Sequence, residues 1–210
     1  LLPILSVMTK MIQKRSASRM NARRIRSVVQ GIMRAQMEEK VILTVVAAAA
    51  TPTAGTVLPL TVGIVQGDAI NMRSGDTISP LSHHIRTNAQ AITNPQTTRF
   101  IVFRDNQNNG STPAVADVLD NADYLSMYNS RTVYQQKRFS ILYDIFDDVQ
   151  ITGRSIVTRQ NALPKIGKIF YNGSTAVATA NGKGAMFMLI IASNSSGTYD
   201  FSYEMKYHDA

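Results

Sequence analysis

From Val41 onward the chain alternates between short apolar runs and clusters of turn residues. Val41-Ile42-Leu43-Thr44-Val45-Val46 is β-branched and apolar, and Ala47–Ala50 then leads into Thr51-Pro52-Thr53-Ala54-Gly55, which predicts a strand and a turn. Comparable runs predict strands over Thr56–Val65, Ile78–Thr93, Arg99–Phe103, Phe139–Phe146, Val149–Thr158, Ile166–Tyr171, Ala185–Ala192 and Tyr199–Tyr207. Eight or nine strands in about 170 residues is the spacing of an all-β sandwich or barrel. Asn109-Gly110, Asn172-Gly173 and Asn181-Gly182 are turn dipeptides, because both residue types tolerate positive φ. One helix interrupts the pattern. Thr112-Pro113 places threonine at an N-cap and proline at the first helical position, ahead of Val115, Val118, Leu119, Ala122 and Leu125.

The first forty residues have a different rhythm. Met11, Ile12, Ile25, Val28, Val29, Ile32, Met33 and Met37 include pairs three, four and seven apart, which predicts a helix between about Ile25 and Met37 with one apolar face. Arg23, Arg24, Arg26 and Arg34 fall largely off that stripe, so such a helix presents cations away from its packed side. Leu1–Met8 is apolar but short and precedes the cations, the reverse of a secretory signal.

Charge sharpens this division. Residues 1–40 hold nine basic groups (Lys10, Lys14, Arg15, Arg19, Arg23, Arg24, Arg26, Arg34, Lys40) against Glu38 and Glu39, a net +7. Residues 41–210 hold thirteen basic and twelve acidic groups, a net +1. The basic character therefore belongs to an arm, residues 1–37, ahead of a nearly neutral body, residues 38–210, and an arm of this kind points to a polyanion, nucleic acid first. With 210 residues the chain can bury a core unaided, and with no cysteine it has no disulfide, thiol catalysis or Cys-ligated metal. No apolar run approaches the ~20 residues of a membrane span, so no membrane partner is expected.

Enzyme chemistry has little to stand on. His83, His84 and His208 are the three histidines, without an HExxH pattern, and the adjacent pair points to opposite faces of a strand. Gly182-Lys183-Gly184 lacks the remainder of a phosphate loop, and GxSxG is absent. The Asn-x-Ser/Thr triplets at Asn109, Asn172 and Asn194 read as turn chemistry. Asp144, Asp147 and Asp148, the Gly67-Asp68 and Gly75-Asp76 pairs and Asp209 lack EF-hand spacing and by themselves read as solvated loop acids.

A resemblance adds to this. Ala54-Gly55-Thr56-Val57, Gly63 through Asp76, Arg99 through Asn106, Gln135 through Phe139, Tyr171 through Ala178, Gly184 through Leu189 and the closing Ser202-Tyr203-Glu204 to Asp209-Ala210 resemble, in order, the satellite tobacco necrosis virus coat protein family. Coat proteins of some small circular single-stranded DNA viruses are similar too. The resemblance covers about Arg34 to the C-terminus. It implies an eight-stranded jelly-roll sandwich with a basic N-terminal helical arm, self-assembling as sixty copies into a T=1 icosahedral shell. The shell would package single-stranded RNA or DNA through inward-facing arms and become a virion inside the host cell. It further implies structural calcium between subunits. Glu38, Ser74, Thr77 and Asp209 match one inter-subunit site, Asp68 a three-fold site, and Thr152 a carbonyl donor near the five-fold. Thr77 stands where the family has an amide and Ala69 where it has a second aspartate. Phosphate contacts fall to Lys10, Lys14, Arg15, Arg19, Arg23, Arg24, Arg26 and Arg34 in the arm, and to Arg104, Lys137 and Arg138 in the body. The competing class is a cellular β-sandwich nucleic-acid-binding module with a basic tail, which explains the charge division but not the extended resemblance.

Overall fold

The computed structural model describes residues 24–25, 28–29, 38–129, 137–151 and 156–209. The chain divides into two compact units, Leu1–Glu38 and Glu39–Ala210. In the first, Arg24, Ile25, Val28 and Val29 are helical, and all four side chains are exposed. The rest of the predicted arm helix lies outside the described residues.

The second unit is built on β1 (Glu39–Ala50), β2 (Thr56–Pro59), β3 (Thr77–Ala91), β4 (Gln96–Asp105), β5 (Phe139–Val149), β6 (Ile156–Ala162), β7 (Ile169–Phe170), β8 (Ala185–Ala192) and β9 (Gly197–Asp209), and a short helix, α1 (Val115–Val118), follows β4. One sheet has the order β1-β9-β3-β6, with β7 also on β3; the other has the order β2-β8-β4-β5; every pairing is antiparallel. Leaving aside the two-residue β7, eight strands fall into two four-stranded sheets between which the chain crosses repeatedly. That is the jelly roll.

The core lies between the sheets. Even positions of β8 (Met186, Met188, Ile190) meet Phe100 and Val102 of β4 and Ile85, Phe201, Tyr203 and Met205 of the facing sheet. Odd positions (Phe187, Leu189, Ile191) point the other way and join Ile101, Phe103, Val118 and Leu119 in a second apolar cluster, with Phe103 stacked on Phe187 at 5.7 Å. The segment after β4 is therefore a lid over the outer face of that sheet.

Several elements depart from expectation. The Thr56–Val65 run is a strand only to Pro59, because the Thr61 hydroxyl receives the Met186 N–H at 3.2 Å and the chain turns away. The Val149–Thr158 run is two elements, since Val149 pairs with Gln96 in one sheet and Ile156 with Gln90 in the other. The alanine run extends β1 through an irregularity between Val46 and Ala49, where Ala48 has φ of 51° and donates its N–H to Asp200. The predicted long helix shrinks to α1, whose N-cap is Ala114, with the Asp117 carboxylate accepting the Ala114 N–H at 3.0 Å.

Candidate metal and nucleic-acid interfaces

Asp209 ends β9 opposite Ile78 of β3. Its Oδ2 accepts from Lys40 Nζ at 2.8 Å, Ser74 N at 3.1 Å and Ser74 Oγ at 2.8 Å. Burial raises the carboxyl's pKa, but the Lys40 ammonium and the two Ser74 donors outweigh it and hold Asp209 below its ordinary value. Oδ1 is buried and has no hydrogen-bond partner, an orphaned anionic acceptor of the kind a hard cation takes. The Ser74 carbonyl accepts from Gln66 Nε2 at 3.0 Å and keeps a second lone pair. Thr77 opens β3 opposite Phe170.

Of the other residues expected to bind calcium, Glu38 is exposed and falls in the first unit, Asp68 is exposed in the loop between β2 and β3, and Thr152 lies outside the described residues. Among the described residues no three His, Cys, Asp or Glu side chains converge within one chain. The Asp209 donor set suits a hard cation on one side only, so further ligands would have to come from another copy.

Asp148, like Asp68 and Asp76, is exposed as its spacing predicts, whereas Asp147 and Asp144 are tied into ion pairs. Asp147 is fully buried, its pKa raised by burial and opposed by Arg159, whose Nε donates to Oδ1 at 2.5 Å. Asp144 takes a two-pronged bond from Arg99, Nε at 2.8 Å and Nη2 at 2.7 Å, and the Tyr128 hydroxyl. Arg99 also donates to the carbonyls of Tyr124 and Ser126, so this pair straps the lid to the sheet. His83 is buried between Pro164 O at 2.6 Å and the Tyr203 hydroxyl at 3.3 Å, whereas His84 lines the opposite, open face.

Lys10, Lys14, Arg15, Arg19, Arg23, Arg26 and Arg34 lie outside the described residues, and Arg24 is exposed. Arg104, Lys137 and Arg138 come together where β4 ends and β5 begins, since the Asn106 N–H donates to the Arg138 carbonyl at 2.8 Å. Arg138 forks onto the buried carboxylate of Asp105 at 2.8–3.2 Å and lies over the Phe139 ring. Arg104 donates to the carbonyls of Lys168 at 2.7 Å and Gly184 at 3.4 Å. Lys137 is exposed.

Two functional groupings have no counterpart in the sequence reading. Lys40, counted there with the arm, is buried against Asp209 and belongs to the body; its place as the second residue of β1 was the available signal. Lys165, Lys168 and Lys183 are all exposed around β7. Their spacing matches no motif, and only the folding of β7 beside the turn into β8 brings them together.

The family profile described as Satellite tobacco necrosis virus coat protein matches residues 8–210. The chain is 43% identical over 196 residues to the coat protein of Satellite tobacco necrosis virus 2, covering 93% of this chain and 98% of that one. It is 45% identical over 198 residues to the capsid protein of Satellite tobacco necrosis virus 1, covering 92% and 100%. The coat protein of Maize white line mosaic Satellite virus is 30% identical over 170 residues, covering 79% and 77%. Among solved structures, one from Desmodium yellow mottle tymovirus aligns with a TM-score of 0.40 at 8% identity, covering 82% of this chain and 81% of that one.

Proposed function

Since this chain belongs to the satellite tobacco necrosis virus coat protein family, and is thereby a structural component of a virion and not an enzyme, we propose that it forms a T=1 shell of sixty copies that packages single-stranded nucleic acid through its basic arm. The observation that carries this reading is the partition of charge between the two units. Leu1–Glu38 holds eight basic groups and one acidic group, +7, while Glu39–Ala210 holds fourteen and thirteen, +1. Sixty arms would bring roughly 420 positive charges to the interior, enough to neutralise several hundred phosphates with counterion release. Such binding ignores sequence, because phosphate contacts carry no base information.

Calcium at the Asp209 face is part of the proposal, supported by the unpartnered Oδ1. Asp209 and the Ser74 carbonyl would hold the ion from one copy and a neighbouring copy would supply the remaining ligands, the ion offsetting repulsion between carboxylates at the interface. Lys40 already neutralises one oxygen of Asp209, so the interface would keep part of its cohesion without the ion.

Deleting residues 1–34 tests the packaging role. Shells should still sediment as a fast species after nuclease treatment, with most of the absorbance at 260 nm gone. Retention of the full nucleic-acid load by shells of the deleted chain would overturn the arm's role. Calcium is tested by adding chelator at neutral pH: the shells should melt at lower temperature, and an unchanged melt would remove calcium from the account.

A further inference from the structure

We infer that Lys165, Lys168 and Lys183, together with Lys137, form a second phosphate-binding rim for single-stranded nucleic acid, at the end of the jelly roll where the arm joins the body. The inference rests on the packaging role proposed above.

All four side chains are exposed. Among the described residues none of them has a carboxylate within ion-pairing distance. The acids nearby are committed elsewhere: Asp105 and Asp117 to Arg138, Asp76 to Arg73, and Asp209 to Lys40. The lysines therefore leave charge for an outside anion to neutralise.

The backbone of Lys168 and Lys183 is held firmly. The Lys168 carbonyl accepts from Arg104 Nη2, and the Lys183 carbonyl accepts the Phe170 N–H at 2.9 Å. Gly184 follows at φ 88°, where an added Cβ would lie 2.6 Å from Arg104 Nη2 and 2.8 Å from the Lys168 carbonyl. Arg104 is thus a positioning residue that fastens Lys168 against the turn carrying Lys183, and these two ammonium groups project from anchored backbone. Anchored cations lose less freedom on meeting a phosphate chain than cations on a mobile segment do.

Chain continuity indicates what the rim meets. β1 begins at Glu39, opposite His208 of β9; Asp209 pairs with Ile78 of β3, and Ile78 with Ile169 of β7. The joint of the arm therefore lies three strand spacings from β7, about 14 Å, two or three nucleotides of extended strand. The chain of the arm enters the body at this end. The opposite end carries less charge: the loops 51–55, 92–95 and 193–196 contain no charged residue and the connection 150–155 contains one, Arg154.

The test measures binding of full-length, unassembled subunits to a labelled oligouridylate across a salt series. Each lysine–phosphate contact on a single strand contributes about 0.7 to the slope of log K against log salt. The combined K165Q, K168Q and K183Q chain should lose about 2 from that slope, with its thermal melt unchanged and the slope restored by arginine at the same three positions. An arm variant, K10Q with K14Q, R15Q and R19Q, should lose about 2.8 by the same arithmetic. If the arm variant weakens but the rim variant keeps the full slope, the rim is overturned and packaging by the arm stands. Loss of shell assembly by the rim variant at an unchanged slope would also overturn it, assigning the lysines to a neighbouring subunit. If neither variant changes the slope, the packaging role itself fails.

Discussion

Sheets β1-β9-β3-β6 and β2-β8-β4-β5 share a core, yet they meet the rest of the molecule differently. Every residue of β8 is buried, whereas β9 from Gly197 to Tyr207 alternates between buried and partly exposed or exposed positions. The cause is the lid after β4, which lays Val118 and Leu119 on the outer face of one sheet, while nothing among the described residues of the second unit covers the other. On that open face Leu43 and Val45 line a groove with His84, Arg86, Gln160, Ser202 and Glu204. A strand with two covered faces reads as an unbroken apolar run and one with a single covered face reads as an alternation, so the number of layers is written in the pattern.

The largest expected effect breaks the closed sheet. Phe187→Ala removes a ring stacked on Phe103 and should destabilise the body by ~3–5 kcal/mol, read from the denaturant midpoint. A loss under 1 kcal/mol would mean that the lid is not a packed layer.

An intermediate effect tests the interior side of the open sheet through acid. Burial lowers the pKa of His83, with Pro164's carbonyl working against it and His84 adding to it. The unfolded chain therefore takes up this proton first. Stability is complete above about pH 6.5 and falls as the pH drops below it, by up to ~1.4 kcal/mol per unit. His83→Gln should flatten the profile between pH 5 and 6.5, and a profile indifferent to the substitution would show that another group controls it.

The smallest effect sharpens the contrast. Leu43→Ser on the open face should change subunit stability by less than ~0.5 kcal/mol. A larger loss in unassembled subunits would reveal a covering element.

This contrast also explains what was legible in advance. The apolar runs at Ala185–Ala192 and Tyr199–Tyr207 announced their strands. The lid was legible only as a helix, because its hold on the sheet comes from Arg99, whose partner Asp144 is 45 residues away. Asp147 was misread because a carboxylate at a strand end looks solvated until the neighbouring strand folds over it. Lys40 was counted as arm charge because its partner, Asp209, stands at the far end of the chain. Sequence spacing exposes periodic burial well and long-range ionic pairing poorly.

Arg73 carries one consequence for the time course of biosynthesis. Its guanidinium is fully buried over the Tyr171 ring and donates to the carbonyls of Ile64, Gly75 and Gly173, the last of them 100 residues downstream. While the ribosome is still translating, that cation has neither its ring nor its distant acceptor, and the loop around it cannot close. The body should consequently reach its native state late, after most of the polypeptide has emerged, as topologies rich in distant contacts do. A chain that stalls before Gly173 would leave an unfinished loop, and a subunit of that kind is marked as incomplete before it meets its first neighbour.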